Sequence, residues 1–124
     1  MTIFNAINSV YSALNGQGLP VHKLVKPAES GECVVINALP LTGSVLKRCY
    51  MNVNIYAKDL LVADGASLPN TARLNVLAGQ YAPILEKIII NNAYLYLESE
   101  GIEADSAIKF HYLNFRLLCN LIEE

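Results

Sequence analysis

This sequence has few charged residues and no tryptophan. Only 16% of its 124 residues are charged, and tryptophan is absent although there are seven tyrosines. Nine lysines and arginines stand against eleven acidic residues, giving a formal net charge of −2, and they are spread along the chain. We therefore expect no nucleic-acid partner, because the basic cluster that binds one is missing. With 53% hydrophobic residues, so little charge also predicts that another subunit covers part of the surface.

Cysteine and histidine are too few and too widely spaced to indicate a reactive site. Cys33, Cys49 and Cys119 show no CxxC spacing, and each falls in a predicted strand, where cysteine is normally a small buried hydrophobe. Neither His22 nor His111 has a Cys, Asp or Glu at the spacing of a helical metal site. We expect no catalytic residue, no metal and no cofactor. We interpret His111 as a surface or subunit-contact residue, the alternative being a ligand or general base.

The sequence contains no segment that we expect to enter a membrane. No apolar run approaches the roughly 20 residues that span a bilayer, and no basic start with an apolar stretch forms a leader. An odd number of cysteines fits a reducing cytoplasm. The length predicts a single domain, residues 1–124, able to bury a core without disulfide or metal support.

The first half of the chain reads as a helix followed by strands. Apolar residues at three- and four-residue spacing predict a helix from Thr2 to Asn15. Val21–Val25 and Cys33–Ile36 read as strands, the second ended by Pro40. Thr42-Gly43-Ser44 predicts a tight connection to the next strand. The expected buried face of the helix is Ile3, Phe4, Ile7, Val10, Tyr11 and Leu14.

The third strand, Lys47–Lys58, has the most regular pattern, because apolar and polar residues alternate along it. Its odd positions are expected in the core: Cys49, Met51, Val53, Ile55 and Ala57. Its even positions form a wet or interfacial face: Arg48, Tyr50, Asn52, Asn54, Tyr56 and Lys58. Tyrosine and asparagine can meet either a partner or water, so we expect subunit contacts here. The alternative is that a helix of the same chain covers this face.

An arm and a second helix follow the third strand. Asp59–Asn70 mixes apolar residues with breakers and predicts an exposed arm. The helix is capped by Asn70 or Thr71 and extends to Ile89. Pro83 lacks an amide hydrogen and clashes with the preceding turn, which predicts a kink or a division of the helix near this residue.

The last third of the chain contains one ambiguous segment. Ala93–Leu97 reads as a strand and Glu98–Asp105 as a solvated acidic turn. Ile108–Ile122 fits either a helix or a strand. A strand is favoured because Tyr50–Ile55 and Tyr112–Leu117 share one pattern of Tyr, apolar, Asn, apolar, polar, apolar, although chance similarity also explains it. The predicted fold is α+β, a single mixed or antiparallel sheet flanked by helices, in the order α-β-β-β-α-β-β.

This order resembles the small tail-terminator, tail-completion and neck (head-tail joining) proteins of long-tailed bacteriophages. The resemblance involves the first helix, the Tyr50–Lys58 strand, the Leu74–Ile89 helix and the Tyr112–Leu121 strand, and extends over nearly the whole chain. It implies a non-enzymatic phage or prophage virion protein, assembled in the bacterial cytoplasm, that completes the tail or joins tail to head. The implied partners are other copies of itself in a homo-oligomeric ring, commonly hexameric, and the phage tail tube and connector proteins.

No functional residue can be taken from that resemblance, so the candidate interface comes from the residues themselves. Its members lie on the two similar strands and on the arm: Tyr50, Asn52, Asn54, Tyr56, Leu60, Leu61, Leu68, Tyr112, Asn114 and Arg116. An alternative function is a small cytoplasmic protein-binding module that uses the exposed sheet face. A third is an enzyme whose site is assembled between subunits.

Overall fold

Helices α1 (Ile3–Leu14) and α2 (Thr71–Glu86) pack on a five-stranded sheet in the computed structural model, which describes residues 3–41, 47–62, 65–89 and 93–121. The strands are β1 (Val21–Lys23), β2 (Cys33–Leu41), β3 (Lys47–Lys58), β6 (Ala93–Asp105) and β7 (Phe110–Leu121), with β4 (Leu60–Leu61) and β5 (Ser67–Leu68) forming a separate hairpin. The sheet order is β1-β2-β3-β7-β6, parallel only between β1 and β2. The predicted α+β class and element order are confirmed.

Both helices lie on the same side of the sheet. Helix α1 contacts β1 and β2, while α2 contacts β3, β6 and β7. The odd positions of β3 are buried beneath them as predicted, together with alternate residues of β7. The fold therefore has two layers, and the described helices leave the second side of the sheet uncovered.

The first helix buries a narrower stripe than its sequence predicts. Ala6, Ile7, Val10 and Leu14 are buried, whereas Phe4 is 67% exposed and the prediction for this residue is wrong. Phe4 lies two residues from Ala6, which is roughly 200° around the helix axis, so the two side chains point to opposite sides. Gly16 follows with a φ of 83°, the left-handed conformation expected after a helix end.

Strand β2 continues through Pro40, where the sequence predicts its end. The shorter β1 pairs only with Val34–Ile36, so the rest of β2 is a sheet edge on that side. Proline is tolerated at an edge because no neighbouring strand is present there to accept a hydrogen bond from the amide hydrogen that proline lacks. Strand β1 also ends before the predicted Val25, since Leu24 adopts a φ of 75°. The predicted Thr42-Gly43-Ser44 connection lies outside the described residues.

Helix α2 is one continuous element. The Asn70 side chain accepts a hydrogen bond from the Arg73 amide (3.2 Å) and caps its start. Pro83 lies inside the helix and does not divide it, because in the final turn its ring costs a single backbone hydrogen bond while Tyr81 and Leu85 stay buried. The helix ends at Glu86 rather than at the predicted Ile89, which is 91% exposed.

The C-terminal hairpin corrects one prediction and confirms another. The acidic stretch Glu98–Asp105 is not a turn, because β6 extends through it and residues 106–109 make the turn. The final segment is a strand, β7, as the Tyr112 pattern predicts. Strand β6 is an edge, where charged side chains are tolerated because they face water. A bulge between Leu97 and Ser99 shifts its register.

Candidate functional site

The uncovered side of the sheet carries the polar positions of the two similar strands. We call this surface the open face; it includes Asn37, Leu39, Tyr50, Asn52, Asn54, Tyr56, Tyr94, Tyr96, Glu103, Tyr112, Asn114, Arg116 and Leu118. Antiparallel pairing of β3 with β7 sets Tyr56 opposite Tyr112, Asn54 opposite Asn114 and Asn52 opposite Arg116. The strand residues predicted for an interface therefore share one surface. Both helices pack on the other side, so the alternative that a helix of the same chain covers this face is wrong for the described residues.

An amide network crosses the middle of the open face. The Asn114 Nδ2 donates to Oδ1 of Asn54 (2.7 Å) and of Asn52 (3.2 Å), and the Asn52 Nδ2 donates to Oδ1 of Asn37 (3.0 Å). Asn54 is only 8% exposed, so its side chain depends on this network rather than on water. Satisfied buried amides hold their strands in register and present a fixed polar strip.

An aromatic cluster closes one end of the open face. Tyr56 packs against Tyr112 and Phe110, with ring centroids 4.8 Å and 6.2 Å apart respectively. The loop after β1 crosses this end, where Lys26 Nζ lies 4.5 Å from the Phe110 ring centroid and donates to Ser30 O and Oγ. Burial raises the pKa of Tyr56. This end is therefore part of the stable body.

Tyr112 is fixed by a carboxylate at the edge of the sheet. Its hydroxyl donates to Glu103 Oε2 at 2.7 Å. That hydrogen bond, with partial burial of the ring, raises the pKa of Tyr112 to about 12. The phenol therefore keeps its proton, and the pair ties β7 to the edge strand.

The opposite end of the open face exposes apolar and aromatic side chains. Leu39, Tyr94 and Tyr96 are 58%, 60% and 56% exposed. Beside them the Arg116 guanidinium lies 5.2 Å from the centroid of the Tyr50 ring. Tyr94 and Tyr96 were not among the predicted interface residues, although their alternation within the predicted strand was a signal for a shared face. Half-exposed aromatic residues beside an arginine have the composition of a protein contact surface.

The predicted arm is a short exposed hairpin, with ladder pairs Leu60–Leu68 and Leu61–Ser67. We call residues 60–68 the arm. Cross-strand partners point to the same side, so Leu60, Val62 and Leu68 share one face, and they are 51%, 39% and 50% exposed. The sequence predicts the arm and its leucines, but it predicts no strand there because each strand of the hairpin has only two residues.

Contacts hold the base of the arm at both of its ends, which we call the first leg (Asp59) and the second leg (Asn70). At the first leg the Asp59 amide donates to Lys109 O (3.0 Å), and the Asp59 Oδ1 lies 2.6 Å from His111 Nδ1. At the second leg Asn70 caps α2, and Arg73 makes an ion pair with Glu32 (2.8 Å). The arm therefore leaves the body at a defined angle.

His111 is a structural partner of Asp59. The His111 side chain is 18% exposed and that of Asp59 is 2% exposed, so His111 is mostly buried rather than at the surface, and its predicted subunit contact stays a prediction. Sequence spacing could not show the pair, because the residues are brought together by the pairing of β3 with β7. Neither residue lines the two cavities of about 590 and 580 Å³ that lie on the helical side.

The first of these cavities lies between α2 and the end of β6, and we call it the α2–β6 groove. Its lining is mostly apolar: Thr71, Leu74, Asn75, Ala78, Glu100, Gly101, Ile102, Leu113 and Phe115. Ile102 is 57% exposed at its rim. The second cavity, between the ends of the two helices, is lined by Ala13, Pro83, Ile84, Lys87, Ile88 and Ile89.

The cysteines are buried, as predicted, and none is in a disulfide. Cys49 and Cys119 lie opposite each other in the core, where their hydrogen bond and burial raise the pKa of Cys119. Burial also raises the pKa of Cys33. Within the described ranges no helix is long and apolar enough to cross a membrane. The same part of the chain contains no cluster of three or more His, Cys, Asp or Glu placed to hold a metal ion.

Comparison with known proteins shows a shared fold and no shared sequence family. No family model matches the chain, and no curated protein sequence matches it. A chain in a solved structure of the virion of a native gene transfer agent (GTA) particle has a similar fold, with a TM-score of 0.56 and 10% sequence identity. The similarity covers 98% of each chain. At that identity it shows the fold alone.

Proposed function

We propose that this chain is a non-enzymatic structural subunit of a phage or phage-like virion, which forms a ring that completes the tail or joins the tail to the head. The open face carries the proposal. It displays tyrosine, asparagine and leucine side chains across the sheet, and no helix of the described chain covers them. A surface of that composition is suited to contact with another protein.

The fold comparison supports the proposal that this chain is part of a virion. The similar chain belongs to the virion of a GTA particle, and the likeness runs through nearly all of both chains. The resemblance of the element order to phage tail-completion and neck proteins points the same way. The proposed partners are further copies of this chain, a tail tube and a connector, and the proposed location is the assembled particle.

The chemistry of the open face suits a subunit that exists both free and assembled. Tyr50 and Arg116 can contact water or a partner without leaving a purely apolar strip exposed. The amide network beneath them keeps the surface rigid, so little ordering entropy is lost when a partner binds. We therefore place Tyr50, Asn52, Tyr112, Asn114 and Arg116 at a subunit or partner contact, while the buried Asn54 and Tyr56 support this surface from below.

The test combines mass measurement with a matched pair of charge reversals. Wild-type protein should show a concentration-dependent rise in mass by light scattering, and rings by negative-stain electron microscopy. Arg116→Glu should weaken association by about tenfold or more, because it reverses charge on the open face. Lys87→Glu makes the same charge change on the helical side and should associate like wild type. A chain that stays monomeric at high concentration and is absent from isolated particles would contradict the proposal.

The alternative of a protein-binding module is favoured by one observation, the free outer edge of β6. This strand has thirteen residues and, among the described strands, pairs only with β7. Such an edge can accept an added strand from a peptide. A stoichiometric complex with a protein that is not part of a virion would support this alternative. A gene located among tail and head genes would support the virion subunit instead.

A further inference from the structure

The arm presents an apolar face that the described residues of its own chain leave partly exposed. Leu60, Val62 and Leu68 lie together on it, each between 39% and 51% exposed. Asp64 is the one charged residue in the arm sequence, residues 60–68. Because both legs are anchored, at Asp59 and at Asn70, this face is presented rather than collapsed onto the core.

The α2–β6 groove is the complementary feature on the same chain. Its volume of about 590 Å³ falls within the range of pockets that hold ligands of substantial size. Leu74, Ile102 and Phe115 give it an apolar wall, and Glu100 is its one charged residue. None of the described arm residues, 60–62 and 65–68, lines it, so these residues do not fill the groove of their own chain.

The exposed charges at the base of the arm and beside the groove are opposite in sign. Lys58 and Lys109 are exposed at the base of the arm, and neither forms an ion pair among the described residues. Glu100 in the groove and Glu98 beside it are exposed and equally unpaired in the described part of the chain. An arm entering the groove of another copy would bring the lysines toward these carboxylates, which favours association and fixes its direction.

We infer that the arm of one copy of this chain docks its Leu60–Val62–Leu68 face into the α2–β6 groove of the next copy. The inference rests on the proposed assembly and adds its contact. The two complementary surfaces are different parts of the chain, so the contact is head to tail. Such a contact closes into a ring when the rotation between copies divides a full turn, and otherwise forms a filament.

Cysteine cross-linking tests the contact directly. Leu68→Cys and Ile102→Cys are made as separate variants and treated with a short bismaleimide, alone and mixed. The native cysteines are buried and do not compete. The mixture should give a cross-linked mixed dimer, each variant alone should give little, and the double variant should give a ladder of interchain products. An intrachain product from the double variant would overturn the inference, as would equal dimer from either variant alone.

Charge placement in the arm and the groove separates this inference from the proposed function. Leu68→Glu or Ile102→Glu should each weaken association by about a hundredfold, because a carboxylate buried without a partner is strongly unfavourable. Both residues are at least half exposed, so the monomer should still fold. Ile89→Glu, at an exposed site outside both surfaces, is the control.

The pattern of outcomes identifies which idea fails. If Arg116→Glu breaks the assembly while Leu68→Glu and Ile102→Glu leave it intact, the arm contact is wrong and the assembly role stands. If wild type stays monomeric and the mixed variants give no cross-link, the arm contact is wrong too. Absence of the chain from isolated particles would then count against the assembly role itself.

Discussion

The Asp59 carboxylate lies 2.6 Å from Nδ1 of His111, with 2% of the Asp59 side chain exposed. The contact joins the first leg of the arm to the start of β7. A carboxylate so deeply buried is stable only while a donor faces it. The pair therefore belongs to the framework that holds the arm.

Replacing His111 by alanine should lower the free energy of unfolding by about 3 kcal/mol, because it leaves the buried Asp59 carboxylate without its partner. Urea unfolding followed by circular dichroism measures the change. His22→Ala is the control and should stay within about 0.5 kcal/mol of wild type. A double-mutant cycle with Asp59→Asn should give a coupling energy above about 0.5 kcal/mol; additive effects would argue against the pair.

Replacing Asn114 by alanine should destabilise the fold by about 1–3 kcal/mol, because Asn54 loses its 2.7 Å donor while 8% exposed. Asn120→Ala tests the same change on the same strand and face, at a residue outside the amide network. Its effect should be within about 0.5 kcal/mol of zero. Equal effects of the two changes in urea unfolding would show that the network adds no stability.

Two glycines with open space around them should respond oppositely to alanine. At Gly79, inside α2, an added Cβ meets nothing within 4 Å, so Gly79→Ala should stabilise by about 0.5–1 kcal/mol. Gly65 in the arm has equal space but a φ of 84°, so Gly65→Ala should destabilise by about 1–2 kcal/mol. Thermal unfolding of both variants checks the signs. A stabilising Gly65→Ala would mean that the arm turn is not left-handed.

Tyr112 should titrate late in alkaline solution, with a pKa of about 12 set first by its hydrogen bond to Glu103. Its folded pKa lies above the ordinary value of about 10, so the folded state holds the phenol proton more tightly. The resulting stability is full below about pH 10 and is lost as the pH rises toward 12.

Glu103→Gln should bring that pKa down toward the ordinary tyrosine value. Tyr112→Phe should remove the transition near pH 12 that belongs to Tyr112, leaving that of the buried Tyr56, whose pKa is also raised. Absorbance at alkaline pH follows the phenolate directly. Glu100→Gln is the control, because Glu100 lies on the opposite side of the same strand. A Tyr112 that ionises with the other tyrosines would contradict the hydrogen bond.

The sequence predicts the layers of this fold because alternation is strong where a strand has one wet side. The odd and even positions of β3 point to opposite sides as expected, although Asn54 and Tyr56, predicted to be wet or interfacial, are buried. The shared pattern at Tyr50 and Tyr112 identifies β7 as a strand. The sequence could not show that β3 and β7 are neighbours in the sheet. Antiparallel pairing turns the shared pattern into matching cross-strand rows, with Asn54 beside Asn114.

The errors occur where long-range contacts override local preference. Acidic residues in Glu98–Asp105 read as a solvated turn, but they pair with β7 along an edge where their side chains reach water. Pro83 predicts a kink or a division of the helix, yet α2 is not divided, because packing of its buried face holds it together through this residue. The Asp59–His111 pair, separated by 52 positions, has no local signature.

The bulge between Leu97 and Ser99 determines which side chains of β6 lie on each side of the sheet. Before it, Leu95 and Leu97 face the helices; after it, the phase reverses, and Ile102 faces them while Glu103 joins Tyr112 on the other side. Removing the extra residue would send the isoleucine to the tyrosine side and the glutamate into the hollow beside α2. A one-residue insertion therefore produces both the apolar α2–β6 groove and the hydrogen bond between Glu103 and Tyr112.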